Sequence, residues 1–493
     1  MERSSGTLMH ITSLPARFGI GTMGRAAFEF VDFLVQAGLK YWQVLPIHPT
    51  GYGDSPYQSF STYAGNPYLI DLESLCADGL LKMSECEGFN WGEDPLRVDF
   101  EKISANKFTV LKKAFERGFD PSDQAYGRFC EKNAFWLSDY AVFMAAKEQS
   151  GMRPWKSWDD EKLILHEDEA VRAFAKKNKR GVDFYQYLQY LFFGQWTTLK
   201  KYANENGIRL IGDIPIYVAA DSADAWGNRE MFRFNENNDS IHVAGCPPDF
   251  FSSDGQYWGN PLYDWDYLED TNYGWWIRRL ENLGRLYDAV RIDHFRGFEA
   301  YYSIKYGAEN ARDGHWVKGP GMDFFVRVKE SLPDLSIIAE DLGYLTEEVH
   351  RLRKKTGYPG MKVLQFAFDS GSDSAYLPHN YERNCVVYTG THDNDTTAGW
   401  FESAPEQKTR FAKEYGALTE AEGLHWGMIR LAFSSVADLA VVPMQDFLGL
   451  PSFARMNMPS TLGGNWTWRA GADYAAFGLV QKIRECADRY GRI

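Results

Sequence analysis

The chain has 493 residues, more than one minimal domain needs, and 44% of them are hydrophobic, enough for a substantial core. Its 67 acidic against 53 basic residues give a net charge of −14, which argues against a nucleic-acid partner because phosphate backbones reward a basic surface. No apolar run approaches the roughly 18–20 residues of a membrane-spanning helix, and the N-terminal residues lack the apolar core of a secretory signal.

The six cysteines (76, 86, 130, 246, 385, 486) show no CxxC pairing, so metal-ligand spacing and a disulfide framework are poorly supported. A cytoplasmic protein with reduced thiols is the expectation. Aromatic residues reach 16%, with 16 Trp and 28 Tyr. Most must pack the core, but an apolar face with a polar tip also suits sugar rings.

In chain order, Thr7–Ile11 reads as the first buried strand. Gly19-Ile-Gly-Thr-Met-Gly24 follows, then an amphipathic helix over Arg25–Ala37 with Phe28, Val31, Leu34 and Val35 on one face. The glycines match a dinucleotide-binding GxGxxG, but no clear acidic strand end lies about 20 residues on, so a Gly-rich βα loop is the better reading. Tyr41–Ile47 is the second strand.

Residues 72–183 form an insertion after it. Helical patterns such as Phe108–Phe119 and Phe129–Glu148 make it a mostly helical subdomain. A helix over Tyr185–Asn204 leads into the third strand, Arg209–Val218. Residues 219–272, dense in Asp, Asn, Gly and Pro, form a second, loop-rich insertion.

Helices over Trp275–Tyr287, Asp323–Ser331 and Thr346–Lys355 precede strands at Ala289–Asp293, Ser336–Glu340 and Met361–Phe368. In the last helix Thr346 is the N-cap, Glu347 and Glu348 an acidic first turn, and Gly357 the stop. Residues 370–384 are too short and turn-rich for a crossover helix. Cys385–Thr389 and Leu439–Met444 complete eight strands, and a final helix near Tyr474–Arg489 leaves no room for a C-terminal β domain.

Strand and helix alternating to eight strands predict a (β/α)₈ barrel over residues 1–493, carrying both insertions. Active sites of this fold sit at the C-terminal strand ends. The third strand ends in Gly212-Asp213, the fourth in Arg291-Ile292-Asp293-His294, the fifth in Glu340-Asp341, and the seventh runs into His392-Asp393-Asn394-Asp395. Acidic residues often end strands as turn formers, but an Arg-x-Asp-His and a His-Asp at separate strand ends go beyond that.

Glycosidic cleavage needs one carboxyl to protonate the leaving oxygen and another to meet the anomeric carbon. Asp293, beside the cation of Arg291, suits the nucleophile. Glu340 suits the acid/base, which must hold its proton until it donates. Asp393 suits a transition-state grip on sugar hydroxyls, with Asp395 a competitor in the same loop. No HExxH, Walker A lysine or GxSxG elbow is present.

These strand ends resemble the α-amylase superfamily. Asp54-Ser-Pro-Tyr-Gln58, Asn66-Pro-Tyr-Leu-Ile-Asp71 and Gly212-Asp-Ile-Pro-Ile-Tyr217 resemble, more narrowly, the 4-α-glucanotransferases (amylomaltases or disproportionating enzymes, glycoside hydrolase family 77). So do Gly245-Cys-Pro-Pro-Asp249, Gly255-Gln-Tyr-Trp-Gly-Asn-Pro261, Asn457-Met-Pro-Ser-Thr461 and Gly464-Asn-Trp-Thr-Trp-Arg469.

The resemblance implies a retaining transferase that disproportionates maltooligosaccharides, with an α-1,4-glucan donor and a glucose or maltooligosaccharide acceptor. It implies neither metal nor organic cofactor. It favours Asp393 over Asp395 and adds Ser55, Tyr57, Asp213, Arg291, His294, His392 and Asn465 around the sugar, with Gln256 and Trp258 overhanging the cleft. Tyr57 can also be read as turn packing, and Asn465 as an Asx-turn residue.

The aromatic segment Pro247–Asn260, with Phe250, Phe251, Tyr257 and Trp258, has the composition to exclude water and favour transfer over hydrolysis. An inactive glucan-binding protein is a further alternative, though binding alone needs no nucleophile beside an acid.

Overall fold

The computed structural model describes residues 2–248 and 253–493. In chain order its strands are β1 (Ser4–Leu8), β2 (Tyr41–Gln43), β3 (Arg209–Pro215), β4 (His242–Cys246), β5 (Gln256–Pro261) and β6 (Ala289–Asp293). Then come β7 (Ala300–Lys305), β8 (His315–Lys318), β9 (Ile337–Ala339), β10 (Gly360–Val363), β11 (Cys385–Tyr388) and β12 (Leu439–Pro443).

Eight of them form one parallel sheet in the order β10-β11-β12-β1-β2-β3-β6-β9. Its ends meet where the Ala339 N–H, at the end of β9, donates to the Pro359 carbonyl just ahead of β10 at 2.9 Å. The sheet is therefore a nearly closed (β/α)₈ barrel, and each of its eight strands overlaps one of the eight predicted apolar runs.

The first strand lies earlier than expected, because Ser4 and Ser5 pair with Leu439 and Ala440 of β12. That long-range partner is invisible to a local count of apolar residues. Ile11–Ser13 is instead a buried 3-10 turn. β2 stops at Gln43, although Val44, Leu45 and Ile47 remain buried: the run continues as buried loop at the mouth.

The helix over Arg25–Ala37 ends at Gly38, whose φ of 73° supplies a left-handed cap. Its core face differs from the expected one. Phe30, Val31, Phe33 and Leu34 are buried, whereas Val35 is 40% exposed and Phe28 half-buried against Tyr202. The preceding glycines serve packing. A Cβ on Gly21 would come within 1.8 Å of the Ile11 carbonyl oxygen, and one on Gly24 within 2.2 Å of the Asp71 carboxyl carbon, so this loop is filled by the protein's own chain.

Between β2 and β3 lie helices over Leu72–Ala77, Met83–Glu87, Phe100–Gly118, Gln124–Gln149, Glu161–Ile164 and Asp168–Lys177, then a long helix over Lys179–Glu205. Asp99 and Asp123 start two of these by accepting the N–H of Lys102 and Ala125. Phe115 packs edge-on to Phe184 at 5.5 Å. The buried ammonium of Lys147 pairs with Asp221 at 2.5 Å, tying the helices to the loop after β3.

The stretch after β3 contributes two strands as well as loops. β4 and β5 join β7 and β8, from a hairpin after β6, in an antiparallel sheet of order β5-β4-β7-β8. Between β10 and β11 the connection holds two 3-10 turns, Leu364–Phe366 and Pro378–Asn380, and no crossover helix, so the run expected as a strand over Met361–Phe368 leaves the sheet at Val363. Gly357 closes the helix over Glu347–Thr356 with φ 71°. Among the described residues the chain ends in a helix over Phe477–Arg489.

Candidate active site

Strand register decides which side chains meet. Asp213 on β3 pairs level with Arg291 on β6, and Ile292 pairs with Ala339 on β9, which leaves Asp293 and Glu340 level on adjacent strands. Residues two apart share a face, so Arg291 and Asp293 point into the barrel together. Arg291 Nη1 donates to both Asp213 oxygens at 2.7 Å, and Nη2 reaches Asp293 Oδ1 at 2.9 Å. The Tyr57 hydroxyl donates to Asp213 Oδ2 at 2.8 Å.

Asp213 is fully buried and Arg291 only 4% exposed, whereas the Asp293 side chain keeps 30% of its surface open. The Asp213–Arg291 pair therefore lies beneath the mouth, with half-buried Tyr57 reaching down to it, and Asp293 stands in the mouth.

Glu340 is 8% exposed and accepts two backbone donors, His294 N–H at 2.7 Å and Leu342 N–H at 2.8 Å. The first is aimed by an unusual turn. His294 holds φ 56°, a left-handed conformation that a non-glycine residue adopts at some cost.

Withdrawal from water pushes Glu340 up to about 8, and the neighbouring Asp293 charge pushes the same way. Asp293 is pushed up to about 6 by its depth in the mouth, against the pull of Arg291. Of the two, Glu340 keeps the proton.

His392 stacks on Tyr57 with centroids 5.1 Å apart, and Trp466 leans on both rings. His392 Nε2 stands 3.4 Å from Asp393 Oδ1, which also accepts the Asn457 amide at 2.6 Å. The Asp393 side chain is 47% exposed.

Asp395 is used differently: Oδ1 accepts the N–H of the adjacent Thr396 and Oδ2 the hydroxyl of Ser452, in the 3-10 turn Ser452–Ala454 after β12, so its carboxylate ties two loops together. Over the mouth, Trp258 on β5 meets His294 edge-on at 4.8 Å and donates its indole N–H to Gln256 Oε1 at 3.0 Å. Asp249, Phe250 and Phe251 lie outside the described residues.

Two expected contacts are occupied locally. Ser55 Oγ accepts the Tyr57 N–H at 3.3 Å, shaping that turn. The Asn465 amide accepts from Met458 N–H and donates to Thr461. Its neighbour Trp466 faces the site instead. Asn457 and Trp466 lie within the motifs Asn457–Thr461 and Gly464–Arg469, where a polar or aromatic residue in a long irregular segment is the only local signal of either. Arg455, which donates to the Asp393 carbonyl at 2.6 Å, was missed entirely. Among the described residues no group of three His, Cys, Asp or Glu side chains is placed to hold a metal ion.

This geometry accompanies a sequence match. The family model for 4-alpha-glucanotransferase matches residues 9–473. The chain belongs to that family.

Among its relatives, the 4-alpha-glucanotransferase of Clostridium butyricum is 50% identical over 487 residues, covering 98% of this chain and all of that one. That of Thermus thermophilus is 49% identical over 481 residues, 95% of each. The solved amylomaltase of Streptococcus agalactiae, in complex with acarbose, superimposes with a TM-score of 0.97 at 41% identity over the whole of both chains. The amylomaltase of Corynebacterium glutamicum, at 19% identity, shares the fold with a TM-score of 0.79 over 98% of this chain and 75% of that one.

Proposed function

We propose that this member of the 4-alpha-glucanotransferase family moves a segment of an α-1,4-glucan to the 4-hydroxyl of a glucose or maltooligosaccharide acceptor by retaining double displacement. The observation that carries the mechanism is the level pair Asp293 and Glu340, one ion-paired to Arg291, the other buried and protonated. Neighbouring strands lie about 4.8 Å apart, which suits the roughly 5–5.5 Å carboxyl separation of retaining enzymes.

In the first step Asp293 attacks the anomeric carbon as the glycosidic bond breaks, and the Glu340 proton goes to the departing 4-oxygen. In the second, Glu340 takes the proton of the acceptor's 4-hydroxyl, whose oxygen displaces Asp293. Asp213 and Tyr57 orient Arg291, and through it the nucleophile. Asp393, fixed by Asn457 and His392, grips sugar hydroxyls as the ring flattens.

Trp258, Gln256 and His294 roof the cleft and hold water away from the glycosyl-enzyme. Residues 1–493 act as one catalytic unit, with 72–183 and 219–272 as elaborations around the mouth, in a cytoplasmic setting. No helix among the described residues is long and apolar enough to cross a membrane.

Maltotriose alone, followed by product sizing, tests the reading. Glucose together with longer oligomers is the expected result; shorter sugars with rising reducing ends would make the protein a hydrolase. Asp293→Ala is expected to lose at least about 10⁴-fold in turnover, and near-normal turnover would remove Asp293 from the nucleophile role.

A further inference from the structure

Four residues past Glu340, the loop after β9 presents Tyr344, a residue 67% exposed. A single exposed aromatic is ordinary on a protein surface, but the backbone beneath this one is held from two sides. The Glu340 carboxylate accepts the Leu342 N–H. Arg296, itself only 4% exposed, donates to the Tyr344 carbonyl.

The Arg296 guanidinium lies 3.6 Å from the ring centroid of Trp316 on β8, and Trp316 packs edge-on against Tyr302 on β7 at 5.1 Å. A buried cation thus locks the loop of the acid/base to the antiparallel sheet, and the ring of Tyr344 lies 5.9 Å from the same guanidinium while most of the residue stays open to solvent.

We propose that Tyr344 is an acceptor-side stacking residue, its ring taking the apolar face of a glucose unit beyond the one that receives the transferred chain. This rests on the glucanotransferase reading. Glu340 as acid/base touches the oxygen that joins the transferred segment to the departing or arriving sugar. Chain running outward from Glu340 therefore borders the acceptor side, whereas Asp293, Arg291, Tyr57 and His392 border the donor sugar.

The buried Glu340 meets the reacting oxygen, and the exposed Tyr344 meets a sugar further out. A tyrosine ring with only two side-chain torsions, on a backbone already fixed, offers that contact with little ordering entropy.

The test uses α-maltosyl fluoride as donor, whose leaving group occupies no acceptor position, with glucose or maltotriose as acceptor. Tyr344→Ala is expected to raise KM for maltotriose roughly 5- to 10-fold, the range of an aromatic face contact. KM for glucose and for the donor stays unchanged, as does the melting temperature, which shows the fold intact. Tyr344→Phe, which keeps the face, is expected to match the wild type.

An unchanged maltotriose KM in Tyr344→Ala, an equal rise for glucose and maltotriose, or a raised donor KM would each overturn the assignment. A wild-type protein that elongates no acceptor would overturn the glucanotransferase reading, and the acceptor-side role with it.

Discussion

At Glu340 two influences act in one direction. Burial disfavours the carboxylate, and the charge of Asp293 disfavours it further. With Asp293 pushed up to about 6 and Glu340 to about 8, the productive pair (one ionised, one protonated) exists mainly between those values. The expected pH profile of kcat/KM is a bell with limbs near 6 and 8, measured by initial rates with maltotriose.

The same shift has a sign for stability. A carboxyl raised in the folded state holds a proton that the unfolded chain has shed, so its contribution is full below the ordinary carboxylate range and is lost as pH rises through about 8. Glu340→Gln removes that titration. Its melting temperature relative to wild type is therefore expected to climb from pH 5 to pH 9, and a flat difference would contradict the shift.

A second comparison separates two neighbours. Asp393→Asn is expected to cut turnover by two orders of magnitude or more with little change in melting temperature. Asp395→Asn, which weakens bonds to Thr396 and Ser452, is expected to cost about 1 kcal/mol of stability and spare most of the activity.

Among the elements, β5 is the least expected and the most consequential for the mouth. Asp, Asn, Gly and Pro in residues 219–272 read locally as loop, yet β5 pairs with β4 and carries Gln256 and Trp258 on a rigid edge. Its other supports, β7 and β8, come from beyond β6, so the sheet exists only once the barrel has brought the two segments together.

Mounted this way, Trp258 holds its place over His294. Trp258→Ala is expected to raise the share of hydrolysis several-fold, read as reducing ends gained per glucose released from maltotriose. An unchanged ratio would move water exclusion elsewhere in the roof.

Over the whole molecule, the chain ends are joined by an arginine that sequence reading passes over. Arg492, fully buried, donates to the carbonyls of Phe433, Ser4, Ser435 and Ala437, closing β1, β12 and the preceding helix against the C-terminus. Arg492→Ala strands several buried acceptors and is expected to cost about 2–4 kcal/mol in denaturant unfolding. Lysine, with one compact donor group, is expected not to restore it.

What was legible from sequence alone follows one logic. Runs such as Leu439–Pro443 and Cys385–Tyr388 are buried on both faces, so local hydrophobicity located eight strands. Carboxylates at the ends of several of those strands pointed to the mouth, because chain order in this barrel sets which strand ends lie together.

Tertiary structure alone decided the rest. Strand register set Asp293 level with Glu340 and sank Asp213 beneath Arg291. Long-range pairing moved β1 back to Ser4 and made β5 a strand. Loop packing turned Trp466, rather than Asn465, toward the site. Each depends on partners tens to hundreds of residues away, and no local window of sequence contains them.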